Sequence, residues 1–335
     1  MRSIFFNNIE KDQLEFVYNE ATIKYLEENA GFERRVVTRD YAVSHTEEFK
    51  DVDFIFSTWG MPEMSEEEIK EIFPSLKCVF YAAGSVQKFA RPFLNCGVKV
   101  FSAWAANAVP VAEYTVAQII LSGKGFFRTS VLAKEGKREE AGELYRKYPC
   151  NYGETIGIIG AGMIGKLVIN MLKAAYKFDV IVFDPFLPDE KAKELGVEKV
   201  SLKELFERSF IVSNHLANNA ETQGMLKYEH FSSMRPYSTF LNTGRGAQVV
   251  EEDLAKVLSE RNDITAILDV TWPEPPVEGH PFYSLPNCIL TPHIAGSAGM
   301  EVYRMSEFMV DEFNKFTKGE KTLYEVTHKM LETMA

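Results

Sequence analysis

The sequence predicts an α/β protein of two domains, each built on a mostly parallel sheet. Short apolar runs alternate along the chain with longer amphipathic stretches, the pattern that strands joined by crossover helices produce. The 335 residues suffice for two domains of ordinary size. Hydrophobic residues make up 46% and charged residues 25%, which is a globular composition.

The first predicted α/β unit covers about the first hundred residues, an ordinary size for one domain. We expect strands at 3–6, 35–38, 53–57, 78–82 and 98–101, and helices at 12–29 and 87–94. A further helix begins at Ser65, which forms a capping box with Glu68. No tandem repeat or low-complexity tract interrupts the pattern.

The second predicted unit follows a long helical pattern at 110–132. Pro110 is expected in the first turn of that helix, where its missing N–H costs nothing. The charged segment 138–148 is predicted to be a surface helix or loop, and a last helix is predicted at 298–318. The strands of this unit are expected at 155–159, 180–183, 210–214, 239–242, 265–269 and 288–291. Residues 1–107 with 299–335 therefore form one expected domain, and 108–298 the other.

A glycine-rich turn joins the first strand of the second unit to its helix. Gly160, Gly162 and Gly165 have the GxGxxG spacing and lie between an apolar strand and a helical pattern. The first glycine allows a tight turn, the second lets a pyrophosphate approach, and the third lets helix and strand pack closely. The N–H groups of the first helical turn, which includes Met163 and Ile164, would bind the phosphates. The alternative is an ordinary strand-to-helix turn.

The next predicted strand ends at Asp184, about 20 residues after Gly165. An acidic residue at this position would accept hydrogen bonds from the adenosine ribose hydroxyls and would repel a 2′-phosphate. The sequence therefore predicts NAD rather than NADP as the cofactor. The alternative is that Asp184, which precedes Pro185, is only a turn former.

The composition also excludes several classes of partner. The net charge of −11 disfavours nucleic acid and anionic membranes, because both require a basic surface. No apolar run approaches the length that spans a bilayer. The four cysteines form no CxxC pair and have no metal-ligand spacing, so we expect no metal site and reduced thiols in a cytoplasmic protein.

Three polar residues follow strands of the second unit, at the edge where open α/β sheets bind ligands. They are Arg245, Glu274 and His293, and only folding would bring them together. Each has a structural alternative: His293 could be a packing residue, and Glu274 a solvated turn residue. Arg245 could cap a helix or pair with Glu251 or Glu252.

These segments resemble the NAD-dependent D-2-hydroxyacid dehydrogenase family. The family's strand plus GxGxxG, its NTxRGxxVxExxL box, its LDVxxxEP box and its TPHxxG box all occur here in order. The resemblance implies a Rossmann-type doubly wound NAD-binding domain and a flavodoxin-like α/β substrate (catalytic) domain. It also implies hydride transfer between NAD(H) and a small 2-keto or D-2-hydroxy acid, in a homodimer formed through the NAD domain.

The resemblance implies a role for each member of the polar set. Arg245 would bind the carboxylate and the carbonyl of the substrate, because its planar fork matches a carboxylate. His293 would act as acid in reduction and as base in oxidation. Glu274 would accept a hydrogen bond from the other imidazole nitrogen and fix the tautomer of His293.

Other positions follow from the resemblance alone. His215, Thr243 and Asp269 would contact the cofactor, with Asp269 at the nicotinamide carboxamide. The alternatives are that His215 is a packing residue and that Asp269 is a simple strand-end residue. The backbone of Ala83, Gly84 and Ser85 would hold the substrate carboxylate.

Two other functions remain open from the sequence. The first is an NAD(H)-sensing protein similar to the C-terminal-binding corepressors, which share this fold. The second is an enzyme similar to 3-phosphoglycerate dehydrogenase, whose substrate needs additional cations. Near the predicted substrate loop, only Lys88 and Arg91 offer such charges.

Overall fold

A computed structural model describes residues 1–9 and 12–332 of the chain. The chain divides into two compact units, Met1–Asn107 with Ser297–Ala335 and Ala108–Gly296. Residues 333–335, which belong to the first expected domain, lie outside the described part. Within that part, no helix combines the length and the apolar character needed to cross a bilayer.

Strands and helices alternate in both units. In chain order the strands are β1 (Ser3–Phe6), β2 (Phe32–Val37), β3 (Phe54–Ser57), β4 (Cys78–Tyr81), β5 (Lys99–Ser102), β6 (Tyr152–Ile159), β7 (Lys177–Phe183), β8 (Glu198–Lys199), β9 (Ile211–Asn214), β10 (Thr239–Asn242), β11 (Thr265–Leu268), β12 (Cys288–Leu290) and β13 (Glu325–Val326). The α-helices are α1 (Gln13–Val17), α2 (Glu20–Ala30), α3 (Arg39–Ser44), α4 (Glu66–Ile72), α5 (Ala90–Asn95), α6 (Trp104–Gly123), α7 (Phe126–Lys134), α8 (Arg138–Tyr145), α9 (Met163–Ala175), α10 (Asp189–Leu195), α11 (Leu202–Arg208), α12 (Tyr228–Ser232), α13 (Glu251–Glu260) and α14 (Val302–Lys318). Short 3₁₀ turns lie at Thr46–Phe49, Gly246–Gln248, Pro281–Tyr283, Gly299–Glu301 and Met330–Glu332.

The first unit has a sheet in the order β13-β5-β4-β3-β1-β2. Strands β1 to β5 are parallel, and β13 pairs antiparallel with β5. Without β13, the order is that of the flavodoxin-like doubly wound fold. Strands β1, β3 and β4 are buried along their whole length, because helices cover both faces of the sheet. The rings of Phe56, Phe80 and Phe101 stack on one face.

The second unit has a seven-stranded sheet in the order β12-β11-β10-β9-β6-β7-β8. All its neighbouring strands pair in parallel. The chain winds outward from β6 in one direction and then from β9 in the other, so the strand order reverses between β6 and β9. This is the Rossmann arrangement, and ligands of such sheets bind at the carboxyl ends of the strands near the reversal. The fold class predicted from the sequence is confirmed.

Two helix predictions are wrong in detail. Residues 12–29 form two helices, because the Asn19 side chain accepts the N–H of Thr22 and starts α2 as a separate helix. Residues 110–132 also divide. Helix α6 begins at Trp104, which places Pro110 in its interior, and the helix ends before Gly125, whose φ of +63° turns the backbone. The charged segment after α7 forms the helix α8.

Candidate active site

Each of the three glycines in the turn after β6 has a structural reason. Gly160 has a φ of +87°, and a Cβ on it would lie 2.8 Å from the carbonyl oxygen of His215. A Cβ on Gly165 would lie 2.1 Å from the carbonyl oxygen of Gly160. Around Gly162, by contrast, no described atom beyond its immediate chain neighbours and its own helix lies within 4 Å of the Cβ position. Two glycines therefore allow close backbone packing, and the third leaves open space for a ligand.

That open space lies at the N-terminus of α9, where Gly162 is the N-cap. Among the described residues, no side chain caps this helix. The first N–H groups, including those of Met163 and Ile164, have no partner within the helix and together carry partial positive charge. Such a terminus binds phosphate, so the residues present fit a dinucleotide pyrophosphate.

Asp184 follows β7 directly and joins that strand to the glycine turn. Its Oδ2 accepts the N–H of Ala161 at 2.8 Å, inside the GxGxxG segment. Its Oδ1 accepts the N–H groups of Phe186 at 2.8 Å and Leu187 at 3.2 Å. The carboxylate therefore lies beside the phosphate site and also has the turn-forming contacts of the alternative interpretation.

His215 is buried behind this site. Its Nε2 lies 2.9 Å from the Ser213 hydroxyl, and its Nδ1 lies 3.5 Å from the hydroxyl of Thr243. Burial lowers the pKa of His215 to about 3, so the imidazole is neutral at physiological pH. Thr243 also contacts the Thr115 hydroxyl at 3.3 Å. A neutral, buried ring cannot serve as the proton donor of a reaction at neutral pH.

Arg245 follows β10 and is held by a network of buried amides. Its N–H donates to Oε1 of Gln248 at 3.2 Å, and its carbonyl accepts from Nδ2 of Asn242 at 3.2 Å. Asn214 links the two amides through its Nδ2, which donates to Asn242 at 3.0 Å and to Gln248 at 2.6 Å. These amides were not among the predicted site residues, although Asn214 and Asn242 lie side by side at the ends of β9 and β10.

The Arg245 guanidinium remains available for a ligand. Its Nη1 donates to the carbonyl of Gly244 at 2.8 Å, and within the described part of its unit no carboxylate forms an ion pair with it. The predicted alternative pairing with Glu251 or Glu252 is therefore not seen. Burial lowers the pKa of Arg245, and the nearby Glu274 carboxylate partly opposes this lowering. A guanidinium still keeps its charge at any physiological pH.

Glu274 and His293 form a hydrogen-bonded pair. Oε1 of Glu274 lies 2.8 Å from Nδ1 of His293, and the side chains are 39% and 48% exposed. An ionised carboxylate only accepts hydrogen bonds, so Nδ1 carries the proton of the neutral imidazole. The other nitrogen, Nε2, is left to exchange a proton with a ligand.

Asp269 organises the loop that carries His293. Its Oδ1 accepts the Thr291 hydroxyl at 2.5 Å and the N–H of Ile294 at 2.9 Å, and its Oδ2 accepts the N–H of Ala295 at 3.0 Å. The N–H of His293 donates to the carbonyl of Asp269 at 3.1 Å. These contacts favour a structural role at the strand end, and a contact with the nicotinamide carboxamide stays a prediction.

Neighbouring strands bring the three polar residues to one edge of the sheet. Strands β10, β11 and β12 lie side by side, and the segments after them carry Arg245, Glu274 and His293 in that order. A Cβ on Gly246 would lie 2.0 Å from the carbonyl carbon of Thr271, so the backbone beside Arg245 packs directly on the loop leading to Glu274. The arrangement places a cation and an imidazole–carboxylate pair at the ligand-binding edge.

The predicted substrate loop belongs to the first unit and follows β4. The Ser102 hydroxyl donates to the carbonyls of Ala83 at 2.9 Å and Gly84 at 2.7 Å. In a trans peptide N–H and C=O point in opposite directions, so the N–H groups of Gly84 and Ser85 point away from Ser102. Within the described part of the first unit, these two N–H groups have no acceptor. They are suitable donors for an anion.

The cysteines and acidic residues show no sign of metal binding. In the described ranges, no group of three His, Cys, Asp or Glu side chains is arranged to hold a metal ion. Cys78, Cys96, Cys150 and Cys288 are free thiols. Burial raises the pKa of Cys288 to about 12, which makes it unreactive.

Comparison with known proteins identifies the family. Residues 116–295, more than half of the chain, match the family described as D-isomer specific 2-hydroxyacid dehydrogenase, NAD binding domain. The chain belongs to this family. Its cofactor is NAD, and the chemistry of the family is NAD-linked hydride transfer on 2-hydroxy acids.

Relatives of the chain are found among bacterial and archaeal proteins. A putative 2-hydroxyacid dehydrogenase, YoaD, of Bacillus subtilis (strain 168) is 36% identical over 231 residues, which are 68% of this chain and 66% of that protein. A glyoxylate reductase of Korarchaeum cryptofilum is 29% identical over 276 residues, 82% of each chain. The structure of a phosphoglycerate oxidoreductase from Rhizobium etli superposes with a TM-score of 0.81 at 22% identity, covering 98% of this chain and 99% of that chain. This last likeness concerns the fold alone.

Proposed function

We propose that the chain reduces a small 2-keto acid to a D-2-hydroxy acid with NADH, using Arg245, His293 and Glu274. The observation that carries the proposal is the 2.8 Å hydrogen bond between Glu274 and Nδ1 of His293, at the sheet edge where Arg245 also lies. Keto-acid reduction needs a cation for the carboxylate and a proton donor for the carbonyl oxygen. This constellation supplies both.

Arg245 binds the substrate carboxylate and polarises its carbonyl. The planar guanidinium offers two parallel N–H donors, which match a carboxylate oxygen and the adjacent carbonyl oxygen of a 2-keto acid. The amide network around Asn242 and Gln248 fixes the backbone of Arg245 and so limits where the guanidinium can go. Its positive charge is most effective when negative charge develops on the carbonyl oxygen.

His293 moves the proton. In reduction, Nε2–H of the doubly protonated ring gives its proton to the oxygen that becomes the hydroxyl, and in oxidation Nε2 takes it back. Glu274 keeps the other nitrogen protonated and holds the ring in orientation. NADH, when bound, supplies the hydride that completes the reduction of the carbonyl carbon.

The cofactor is proposed to bind across the glycine turn. The N–H groups at the start of α9 would hold the pyrophosphate beside Gly162, with Gly160, Met163, Ile164 and Gly165 forming the turn. Asp184 would bind the adenosine ribose. Thr243 and Asp269 are proposed to lie near the nicotinamide, and His215 to support that region as a neutral ring.

Replacing Asp184 with Ser is expected to reduce the preference for NADH over NADPH by about tenfold or more, the value of one hydrogen bond to a charged group. Steady-state kinetics with both cofactors measure the ratio of kcat/KM. Asp184→Asn is the matched control, because it keeps an oxygen acceptor for the N–H groups and removes only the charge. An unchanged ratio in both variants would remove Asp184 from the ribose site.

A panel of 2-keto acids of graded size and charge tests the proposed function. We expect oxidation of NADH, followed by its absorbance, with at least one member, and chiral analysis is expected to show a D product. An L product contradicts the proposal. Tight NADH binding without turnover of any member would instead favour the NAD(H)-sensing function.

The panel also identifies the substrate class. The N–H groups of Gly84 and Ser85 are proposed to bind the substrate carboxylate. The prediction for Ala83 is wrong, because its N–H already donates to the carbonyl of Tyr81 at 2.9 Å. A phosphorylated substrate such as 3-phosphoglycerate would need more positive charge than the exposed Lys88 and Arg91 provide. Oxidation of 3-phosphoglycerate by NAD would support the second enzyme function.

We also propose that the protein is a cytoplasmic homodimer that associates through the NAD-binding unit. In that unit, α6 and α9 border a mainly apolar surface depression of about 500 Å³, lined by Val116, Ile120, Leu121 and Met171 among others. Burial of such a surface favours association. Light scattering in solution measures the oligomeric state.

A further inference from the structure

Glu251 is a buried carboxylate with no part in the proposed reaction. It is the first residue of α13, and its exposed fraction is 7%. Its Oε1 accepts the N–H of Trp272 at 2.7 Å, and its Oε2 lies 3.6 Å from Nε2 of His280. The carboxylate therefore links the start of α13 to two separate segments of the loop between β11 and β12.

His280 directs a proton towards this carboxylate. Its Nδ1 accepts the N–H of Phe282 at 3.3 Å, so the neutral ring carries its proton on Nε2, the nitrogen that faces Glu251. The ring also packs against Phe282, with the ring centroids 4.4 Å apart. Glu251 thus accepts one hydrogen bond, from the Trp272 N–H, and its other oxygen faces the His280 ring at 3.6 Å.

The Trp272 N–H lies two residues before Glu274, and the segment between them is stiff. Proline rings at 273 and 275 flank Glu274 and fix φ on either side of it. The Thr271 hydroxyl donates to the carbonyl of Pro273 at 3.0 Å. With few soft dihedrals in the backbone of this segment, the position of the Trp272 N–H restricts where the backbone of Glu274 can lie.

Burial also affects the ionisation of Glu251. It raises the pKa of the carboxyl to about 7, the Trp272 N–H opposes this, and Glu252 adds to it. A carboxyl with a raised pKa in the folded state stabilises the fold below its unfolded pKa, and this contribution is lost as the pH rises through about 7. In the folded protein the ionised form of Glu251 is therefore disfavoured relative to the protonated form.

We propose that Glu251 is a positioning residue, which holds residues 272–275 so that Glu274 keeps His293 in its Nδ1–H tautomer. The catalytic consequence rests on the proposed function of His293. The geometric part, a tautomer fixed through Glu251, Trp272 and Glu274, does not depend on turnover.

The tautomer is measured by ¹⁵N NMR of protein labelled at histidine, with the His293 signals assigned by their loss in His293→Asn. We expect the Nδ1–H tautomer of neutral His293 to predominate in the parent protein. In Glu251→Ala it should shift towards Nε2–H, and in Glu251→Gln it should persist, because the amide oxygen still accepts the Trp272 N–H. Glu252→Ala, which removes an exposed charge from the same helical turn, is the matched control and should leave the His293 tautomer unchanged.

The kinetic test is a double-mutant cycle with Glu274→Ala, which removes the acceptor for Nδ1 of His293. Glu251→Ala alone is expected to lower kcat by roughly 10- to 100-fold, as small displacements of catalytic groups do, with the Kd for NADH unchanged. In the Glu274→Ala background the same change should lower kcat much less, because Glu251 acts through Glu274. The proposal would be overturned if Glu251→Ala lowered kcat by the same factor in both backgrounds, or if the His293 tautomer did not shift.

A failure to fold and a failure of the proposed function can each be distinguished from a failure of the positioning role. If Glu251→Ala does not fold, Glu251→Asp replaces it, since the shorter side chain draws the carboxylate away from Trp272; an unshifted tautomer in this variant also overturns the proposal. If the parent protein reduces no 2-keto acid, the proposed function fails, while the NMR measurement still decides whether Glu251 fixes the tautomer.

Discussion

His293→Asn is expected to lower kcat for keto-acid reduction by about 10²- to 10⁴-fold, the usual contribution of a positioned proton donor. Asn has no group that titrates near neutral pH, so the developing alkoxide must take its proton from water. The Kd for NADH should stay unchanged, because the glycine turn and Asp184 lie at another part of the sheet edge. Steady-state kinetics give kcat, and quenching of protein fluorescence gives the Kd for NADH.

Glu274 provides the controls for this experiment. Glu274→Gln keeps an oxygen that accepts from Nδ1 of His293 and removes the charge, so its loss of kcat should be smaller than that of Glu274→Ala. A His293→Asn protein with the kcat of the parent would exclude His293 as the proton donor.

Arg245→Ala is expected to lower kcat/KM for the keto acid by about 10³-fold, comparable with the loss of a donor that stabilises an oxyanion. The effect should divide between a higher KM and a lower kcat, because the guanidinium contacts both the carboxylate and the reacting carbonyl. Arg245→Lys is the matched control: it keeps the charge without the planar fork and should recover only part of the activity.

For Arg245→Ala, a second measurement distinguishes a loss of substrate binding from a loss of folding. The Arg245 Nη1 donates to the carbonyl of Gly244, so its removal also takes away one backbone contact. Thermal unfolding and the Kd for NADH should nevertheless change little, since the amides of Asn242 and Gln248 hold the segment. Unchanged kinetics, or a loss of NADH binding equal to the loss of activity, would show that Arg245 is structural.

The sequence was sufficient for features whose requirements are local. The glycine spacing 160, 162, 165 is visible because a tight turn, a phosphate approach and a helix–strand contact each exclude a side chain at a fixed distance along the chain. Arg245, Glu274 and His293 were recognisable for a related reason: each follows a predicted strand, and parallel strands place their carboxyl ends at one edge of the sheet. The predicted order of the strands was therefore enough to expect these three residues at one edge of the sheet.

Local patterns failed where two signals competed. The apolar spacing of 12–29 and of 110–132 favoured continuous helices, but Asn19 starts a new helix by capping it, and Gly125 adopts a left-handed conformation that ends one.

By itself, then, the sequence determined the family, the cofactor and the residues expected to react, since these depend on residue types at fixed spacings. Only the tertiary structure decided how those residues are held: the amides of Asn214 and Gln248 behind Arg245, and Glu251 against Trp272 beneath Glu274. The Asn214–Gln248 and Glu251–Trp272 hydrogen bonds join residues 34 and 21 positions apart in the chain, and a shift of a few tenths of an ångström would weaken them. No periodicity encodes such distances, because they are set by how the strands and loops pack.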